Sequence, residues 1–378
     1  MNSFDYIVIG GGIAGLSVAH ALSRHGKTLV LEQESAPGYH SSSRSATLFH
    51  FGIGNPPVRA MTAYSGPFFT APPDGFAEVP LAKPSGILLV VRKGQEDILE
   101  HHYTQIRAVT DTTRRVTLDQ IAAMVPVLRV GVEGVTAGIF DAHGLRLDGD
   151  ALLQGHVRAL RRNGGQILTN AMITKLARDG HGWNVATSGG AFSAKVVVNA
   201  AGAWADQIAT LAGVTPLGLE PLRRTIIAFD PPVGVNCAVW PFVRSLADEF
   251  YFLPEAGKLL ASSADEVPSL PCDAQPDDYD IALAAHRIEE VTTMRVTRIP
   301  HKWAGLRTFA PDRVPVCGFD AQAPGFFWLA GQGGYGLQTS PAMADAAAAL
   351  ITGQPWPQRL SLLGVTDRTL SPGRFAAI

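Results

Sequence analysis

Three glycines near the N-terminus have the spacing of a phosphate-binding turn. Gly10, Gly12 and Gly15 form the pattern G-x-G-x-x-G. In this pattern the glycines permit a tight turn, close approach of the backbone to a pyrophosphate, and close packing of a helix on a strand. Glu32 follows about 20 residues later, where a carboxylate can accept hydrogen bonds from both hydroxyls of an adenosine ribose. These residues predict the binding of a dinucleotide cofactor.

Three further segments are typical of contacts with such a cofactor. The run Ser42-Ser43-Arg44-Ser45-Ala46 offers hydroxyl donors and a guanidinium, which suit a phosphate-contacting loop. Residues 199–204, Asn-Ala-Ala-Gly-Ala-Trp, follow an apolar strand pattern, and their small side chains let the backbone come close to a ligand. Residues 331–336 form a second glycine-rich turn before a helix. The N–H groups at that helix start would suit a flavin C2 carbonyl, which gains negative charge on reduction.

The elements that must position these residues alternate between strand and helix at the N-terminus. Residues 6–9 predict a buried parallel strand, a helix follows the glycine turn, and residues 27–32 predict a second strand. Residues 221–298 instead predict an antiparallel sheet with a helix. We therefore expect two domains. Residues 1–75, 145–215 and 300–378 would form the cofactor-binding domain, and residues 76–144 and 216–299 the substrate-binding domain.

Composition narrows the class of protein. The chain has 378 residues, of which 46% are hydrophobic and 17% charged, and its net charge is −2. These values favour a soluble globular enzyme and give no electrostatic case for nucleic acid or an anionic membrane surface. Cys237, Cys272 and Cys317 lack metal-ligand or redox spacing, so we expect no metal and no disulfide framework. We see no signal peptide and no apolar run long enough for a membrane span, and we expect a cytoplasmic location.

Taken together, these motifs resemble the flavin-dependent D-amino acid oxidase/dehydrogenase family, and the closest resemblance is to its bacterial D-arginine dehydrogenase type. The resemblance implies an α/β protein with a glutathione-reductase-like Rossmann FAD-binding domain and an α+β substrate domain built on an antiparallel sheet. It implies FAD bound noncovalently. It also implies hydride transfer from the Cα of a D-amino acid to flavin N5, which gives an imino acid that hydrolyses to a 2-oxo acid and ammonia.

The resemblance also assigns site residues. Arg307 and one arginine of the pair Arg223-Arg224 would hold the substrate carboxylate, and Tyr251 would hydrogen-bond it. His50 would assist deprotonation or order a water, or would merely pack. The expected substrate pocket consists of Leu48, His50, Ile53, Ile87, Arg223, Arg224, Tyr251, Arg307 and Gly334. The expected cofactor residues are Gly10, Gly12, Ile13, Ala14, Gly15, Glu32, Gln33, Ser42, Ser43, Arg44, Ser45, Ala46, Ile173, Ala201, Gly202, Trp204, Gly331, Gly333, Gly334, Tyr335, Gly336, Leu337 and Gln338.

Departures from the arginine-specific type alter the expected substrate. That type has an acidic residue where this chain has Ile87, and a polar histidine and tyrosine where it has Leu48 and Ile53. A buried guanidinium facing these three side chains would lose its ion pair and hydrogen bonds. We therefore expect a neutral or apolar amino acid rather than arginine. A secondary amine of the sarcosine or proline kind, a 2-hydroxy acid, and a non-catalytic flavoprotein are the alternatives. The electron acceptor would be O2 or a quinone-type carrier.

Overall fold

The computed structural model describes residues 2–180 and 182–375. Within them the strands, numbered β1 to β21 in chain order, are Asn2–Ile9, Thr28–Leu31, Leu48–Phe49, Ala82–Pro84, Ile87–Arg92, Thr113–Val116, Val135–Asp141, Leu145–Leu147, Gln166–Leu168, Ile173–Asp179, Gly182–Thr187, Gly190–Asn199, Glu220–Phe229, Phe242–Ser245, Tyr251–Glu255, Lys258–Ser262, Val267–Pro268, His301–Phe309, Val316–Phe319, Phe326–Ala330 and Gln332–Gly333. The α-helices, α1 to α10, are Ile13–Leu22, Pro56–Thr70, Glu96–Arg107, Leu118–Met124, Gly149–Arg162, Ala205–Leu211, Asp278–Val291, Gly336–Thr352, Gln358–Leu362 and Asp367–Leu370. Short 3-10 helices cover Ser41–Ser43, Gly202–Trp204 and Pro372–Phe375.

The first sheet has a parallel centre in the order β9-β2-β1-β12-β20. Antiparallel strands β11 and β10 extend it beside β12, and β19 pairs with β20. Both faces are apolar: Ile7 and Ile9 belong to one buried cluster, and Val8 between them belongs to the other. Because successive side chains of a strand point to opposite faces, this run can be stable only when both faces are covered. Helices α1 and α8 cover the face of Val8.

The predicted β1–α1–β2 unit is present, and its first turn requires glycine. Gly10 has φ +104°, a conformation that side-chain-bearing residues rarely adopt. A Cβ at Gly15 would overlap the carbonyl oxygen of Gly10. Helix α1 can therefore start close against the end of β1 only with these residues.

The second sheet has the order β21-β18-β13-β16-β15-β14-β5-β7-β6, with β17 also paired to β13. Its pairings are antiparallel except that between β14 and β5. One face packs on α7 through Ile281, Ala284 and Ile288. The other face carries Ile226, Phe242 and Tyr251 and turns toward the first sheet's glycine turns. A small third sheet has the order β3-β8-β4.

The predicted fold class is confirmed: a Rossmann-type parallel sheet is combined with a mainly antiparallel sheet. The division into domains stays a prediction, but sheet membership does not follow its boundary at residue 300. Strand β18 pairs with β13 over nine residues and so belongs to the second sheet. In the described part of the chain, no helix combines the length and hydrophobicity that crossing a membrane requires. Nor do the described residues bring three metal-ligating side chains together.

Candidate active site

A cavity of about 720 Å³ joins the first glycine turn to the second sheet. At one end its wall is formed by Gly12, Ile13 and Ala14 at the start of α1. At the other end it is formed by Arg224 of β13 and Tyr251 of β15. Residues predicted to contact a cofactor and residues predicted to contact a substrate therefore line one continuous space.

Most of the predicted cofactor residues line this cavity. Those on its wall are Gly12, Ile13, Ala14, Ser42, Arg44, Ser45, Ala46, Gly202, Gly331, Gly333, Gly334, Tyr335, Gly336, Leu337 and Gln338. Those off the wall are Gly10, Gly15, Glu32, Gln33, Ser43, Ile173, Ala201 and Trp204. Gly10 permits the turn through its positive φ, and Gly15 lets helix α1 pack closely against Gly10. Ser43 donates its hydroxyl to the carbonyl of Gly38, 2.7 Å away, so it supports the loop from behind.

Glu32 lies at the end of β2 under the first glycine turn. One carboxylate oxygen accepts the N–H of Gly11 at 2.6 Å, and the other accepts the N–H of Glu34 at 2.8 Å. Burial raises the pKa of the Glu32 carboxyl, although these two N–H donors oppose the shift. The carboxylate is thus fixed beside the turn, where the ribose of a dinucleotide would lie.

Arg44 lies on the cavity wall, and its role toward a phosphate stays a prediction. Its expected role is to offset phosphate charge, but its guanidinium is held by protein acceptors. It pairs with Asp273 at 2.6 Å and donates to the carbonyl groups of Ala274 and Ala304. The indole N–H of Trp303 in turn donates to the carbonyl of Arg44 at 3.1 Å. Because the long side chain reaches the segments around the second sheet, Arg44 ties the loop of residues 41–46 to that sheet.

The second glycine turn presents polar groups that suit a flavin. Helix α8 begins after Tyr335 without a side-chain cap, so its first N–H groups are available to an acceptor in the cavity. The buried side-chain nitrogen of Gln332 has no hydrogen-bond partner in the protein, and Gln332 lines the cavity. A buried donor without a partner is costly, which indicates that a ligand supplies the acceptor. The residues present therefore fit FAD.

Three arginines converge on one carboxylate near this turn. Arg307 of β18 contacts Glu266 at 2.7 Å, Arg313 contacts it at 2.8 Å, and Arg224 contacts it at 3.4 Å. Burial, together with the charge of Arg224, lowers the pKa of Arg307 to about 10, so it stays protonated at neutral pH. Arg224 also donates to the carbonyl of Asp265 at 2.6 Å. Among the described residues, Glu266 is the carboxylate that pairs directly with these three guanidinium groups, while Asp265 and Asp248 interact with Arg224 at longer range. The three arginines can therefore also bind an anion in the cavity.

Gly334 is needed for this arrangement. A Cβ at that position would overlap the guanidinium of Arg307. The Arg307 guanidinium also lies 5.5 Å from the ring centre of Tyr335 and 5.2 Å from that of Phe309. The turn and the two rings together hold Arg307 against the cavity.

Arg223 does not belong to the substrate pocket. It precedes Arg224 in β13, and adjacent residues of a strand point to opposite faces. Its guanidinium contacts the buried carboxylate of Asp280 on α7 at 2.9 Å. Of the two neighbouring arginines, Arg224 is the one that faces the cavity.

Ile87 is likewise placed elsewhere. It is fully buried in the apolar cluster of the second sheet and is not on the cavity wall. A Cβ on Gly144 would overlap its side chain, so Ile87 packs tightly against the start of β8. Leu48 and Ile53, the two other apolar residues expected in the pocket, do line the cavity.

His50 lies on the wall but is poorly suited to act as a base. Its Nδ1 accepts the N–H of Gly52 at 3.2 Å, so in the neutral ring Nε2 carries the proton. Burial, with the charges of Arg244 and Arg59, lowers the pKa of His50 to about 3. Of the expected roles, proton abstraction is therefore disfavoured. Donation of the Nε2 proton to a substrate or a water is compatible with this tautomer.

The sequence-based prediction missed Arg244. This residue of β14 lines the cavity beside Tyr251 of the neighbouring strand, and it donates to the carbonyl of Gly52 and to Asp248. Asp248 also lies on the wall. A signal was available: Arg244 is a charged residue in a short apolar strand, and alternation places it on the opposite face from Val243. Glu266 and Arg313 were missed because no motif marks them.

Cys317 is not placed to attach a cofactor covalently. It is a fully buried residue of strand β19, opposite Leu329 of β20, and is absent from the cavity wall. Burial raises the pKa of its thiol far above the ordinary value.

Comparison with known proteins extends this description. The family described as "FAD dependent oxidoreductase" matches residues 5–350. Glycine oxidase from Geobacillus kaustophilus is 22% identical over 363 residues, which cover 93% of each chain. The structure of L-proline dehydrogenase from P. horikoshii superposes with a TM-score of 0.86 at 20% identity, covering 100% of this chain and 98% of the other. L-alpha-glycerophosphate oxidase from Mycoplasma pneumoniae, with FAD bound, superposes with a TM-score of 0.83 at 18% identity, covering 93% and 95%.

Proposed function

Because the chain belongs to the family of FAD-dependent oxidoreductases, its cofactor is FAD, and we propose that it oxidises an amino acid at the Cα–N bond. The product would be an imino acid, which hydrolyses to a 2-oxo acid and ammonia. One observation carries the proposal: Arg224, Arg307 and Tyr251 line the same cavity as the second glycine turn. This arrangement suits an α-carboxylate held beside a flavin.

The two arginines would bind and orient the substrate. Both remain cationic and can donate in pairs to a planar carboxylate. Arg307 is fixed by the turn at Gly334, so a substrate held by it has little freedom to rotate. Such fixed orientation is a main source of rate acceleration when the reacting atoms must meet in one geometry. FAD, when bound, supplies the acceptor for the hydride removed from Cα.

Charge on the wall argues against cationic substrates. Arg224, Arg244, Arg307 and Arg313 face the cavity, and Asp248 and Glu266 are the acidic residues on its described wall. A substrate guanidinium or ammonium in the distal part would meet Arg244, and the acid nearby, Asp248, is already paired with Arg244. The comparisons show the family and not its D-arginine dehydrogenase type, and this charge pattern does not support arginine as the substrate. The expectation of a neutral or apolar side chain comes from Leu48 and Ile53, which do line the cavity.

Configuration at Cα is also part of the proposal. The family resemblance favours the D-enantiomer, whereas one superposed structure is named an L-proline dehydrogenase. The arginine cluster would hold the carboxylate of either enantiomer. Both must therefore be compared directly.

A second candidate is the oxidation of a secondary amine or a 2-hydroxy acid. It is supported by the likeness to L-proline dehydrogenase and to L-alpha-glycerophosphate oxidase, whose names denote C–N and C–O substrates. An arginine pair that binds a carboxylate would suit primary amino acids, secondary amino acids and 2-hydroxy acids equally well. The arginine cluster alone therefore does not distinguish these three substrate classes.

The test is reduction of the bound FAD without oxygen. Oxidised flavin absorbance is followed while D-amino acids, L-amino acids, N-methyl amino acids and 2-hydroxy acids are added separately. Bleaching by primary D-amino acids supports the proposal, and bleaching by N-methyl or hydroxy acids alone supports the second candidate. Failure of every compound to reduce the flavin contradicts both. Repeating the reaction with air, and then with a soluble quinone, identifies the electron acceptor, for which O2 and a quinone-type carrier are both proposed.

We predict that Arg307→Met raises KM by at least about 100-fold while FAD stays bound. Loss of a charge-assisted bidentate contact costs roughly 3 kcal/mol, and each 1.4 kcal/mol is a factor of ten. Steady-state kinetics and the flavin spectrum measure the two effects. Arg115→Met is the matched control, because Arg115 pairs with Glu100 at the surface. Unchanged kinetics in the Arg307 variant would remove it from substrate binding.

A further inference from the structure

Apart from Arg44, which pairs with Asp273, the described cavity wall carries positive charge in two separate places. The first is the group of Arg224, Arg307 and Arg313 around Glu266. The second is Arg244, whose side chain extends from β14. The sheet order β13-β16-β15-β14 puts Arg224 and Arg244 three strands apart, which corresponds to roughly 14 Å between their backbones. Two long side chains facing one cavity across this distance leave room for a short molecule between them.

Arg244 is only partly neutralised. Its guanidinium donates to Asp248 and to the carbonyl of Gly52 at 3.2 Å. The Asp248 side chain is 63% exposed, whereas that of Arg244 is 12% exposed. Burial opposes the shift, but Arg244, Arg224 and Arg307 hold the pKa of Asp248 below its ordinary value. Asp248 thus lies within electrostatic range of both positive groups, and most of its side chain faces solvent.

A further arginine lies behind Arg244. Arg59 of α2 is 6% exposed, and its guanidinium donates to the amide oxygen of Gln105. Its Nε has no partner, and among the described residues no carboxylate pairs with it. Burial and the charge of Arg244 lower the pKa of Arg59. A buried guanidinium without a counter-ion is costly, and an anion bound at Arg244 would lower that cost.

His50 and His102 add neither positive nor negative charge to this part of the wall at neutral pH. Both line the cavity, and burial lowers the pKa of each, with the charges of Arg244 and Arg59 adding to the effect. They are neutral hydrogen-bonding groups at neutral pH. The distal wall therefore offers guanidinium donors and neutral imidazoles, with Asp248 as its acidic group.

We propose that the substrate carries a second acidic group, which Arg244 binds while Arg224 and Arg307 bind the first. The substrate class is then a dicarboxylic amino acid, with the amine beside one carboxylate. This inference rests on the proposed function, and it replaces the neutral or apolar side chain expected from Leu48 and Ile53. Arg244 is in this view the residue that determines substrate specificity.

Two measurements on the FAD-loaded full chain test the inference. In the first, aspartate and glutamate are compared with their amides, asparagine and glutamine, as D- and L-enantiomers, by anaerobic flavin reduction. The acids are expected to have kcat/KM at least about tenfold above the amides, because an amide replaces a charged acceptor at a guanidinium. In the second, glutarate and valerate, which lack the amine and cannot react, are titrated while the flavin spectrum is recorded. Glutarate is expected to bind at least about tenfold more tightly.

Three variants test whether Arg244 causes the preference for a second carboxylate. Arg244→Met should abolish both preferences, whereas the surface control Arg115→Met should keep them. Asp248→Asn removes the competing carboxylate and should increase the preference for acids, so it tests the inference even if Arg244→Met does not fold. The inference is overturned if kcat/KM is equal for acids and amides. It is also overturned if Arg244→Met lowers kcat/KM for acids and amides by the same factor. Either result leaves the proposed function standing. If no amino acid reduces the flavin, the proposed function is overturned and this inference with it.

Discussion

In the proposed site, Glu266 is the residue whose position would most directly affect substrate binding. Its carboxylate touches Arg224, Arg307 and Arg313, and its side chain is 31% exposed. A substrate carboxylate that binds Arg224 and Arg307 must share them with Glu266 or displace it. Glu266 therefore acts as an internal competitor, while it also limits repulsion among the three guanidinium groups.

We predict that Glu266→Gln lowers KM by at least about threefold, because an amide competes less well than a carboxylate for a guanidinium. The expected change in kcat is smaller, since the residue does not touch the reacting carbon in this arrangement. Steady-state kinetics measure both parameters. Glu290→Gln is the control, since Glu290 pairs with Arg92 at 2.8 Å. A higher KM in the Glu266 variant would mean that its main role is to hold the arginines in place.

Site residues differ in how far the sequence could predict them. Arg307 and Tyr251 match positions of a known family and do line the cavity. Arg223 and Arg224 could not be separated from sequence, because the choice depends on which face of β13 meets the cofactor. Arg244 lies in a segment without a motif. Strand β14 forms a local hairpin with β15, but its position in the sheet also depends on its pairing with β5, which lies about 150 residues earlier in the chain.

At the scale of elements, α1 and α5 are joined by a buried pair of histidines. His20 and His156 approach through their Nδ1 atoms at 3.2 Å, and the His156 ring is stacked on Phe68. Arg24 donates to the Nε2 of His20 at 3.1 Å. Burial is the main cause that lowers the pKa of His20 to about 4 and that of His156 to about 3. Both rings are therefore neutral in the folded protein at neutral pH.

This pair predicts a specific loss of stability in acid. In the unfolded chain each histidine takes up a proton near pH 6.5, whereas in the folded chain it does so only near pH 4 or 3. The unfolded state binds more protons in between, so the free energy of unfolding falls by about 1.4 kcal/mol per pH unit for each histidine. The two neutral histidines therefore cause no loss in the free energy of unfolding above pH 6.5, and below pH 6.5 this free energy declines.

His156→Phe should remove half of this slope and keep the aromatic packing against Phe68. Unfolding by urea at pH 7, 6 and 5 measures the effect. His25→Gln is the control, because His25 is an exposed residue close to the same helix. A His156→Phe variant with the same pH dependence as the unmodified protein would show that other groups cause the acid sensitivity.

The sequence predicted elements well where a local pattern decides them. The unit β1–α1–β2 and the helix after residue 336 follow from glycine turns beside apolar runs. Strand β18 was assigned to the cofactor domain because its sequence neighbours are there, yet it pairs with β13. Such pairings are decided by contacts between segments far apart in the chain, which periodicity cannot reveal.

At the scale of the whole molecule, the two large sheets meet around the cofactor cavity. Arg44 links the loop of residues 41–46 to Asp273, and Ser41 donates its hydroxyl to the carbonyl of Leu306 at 2.6 Å. FAD would contact the first sheet at Gly12 and the region of the second sheet at Gly333. Binding of FAD and the joining of the two parts are therefore expected to be coupled.

We predict that removal of FAD lowers the melting temperature by a few degrees without splitting the transition. A ligand present at 100 times its Kd stabilises the folded state by about 2.7 kcal/mol, which corresponds to a shift of roughly 3 °C for a chain of this size. Calorimetry of the protein before and after FAD removal, and after FAD is added back, measures it. Two separate transitions in the FAD-free protein would show that the two parts unfold independently.

The opposite orientations of Arg223 and Arg224 also bear on how this protein can change over evolution. Strand β13 pairs with β18 over nine residues and also contacts β16 and β17. Deletion of one residue within β13 would exchange the two faces beyond that point, because side-chain orientation repeats every two residues. Arg224 would then turn toward α7, and its neighbour would enter the cavity. Homologous chains that keep the site are expected to vary in length only outside β13, or within it by two residues at a time.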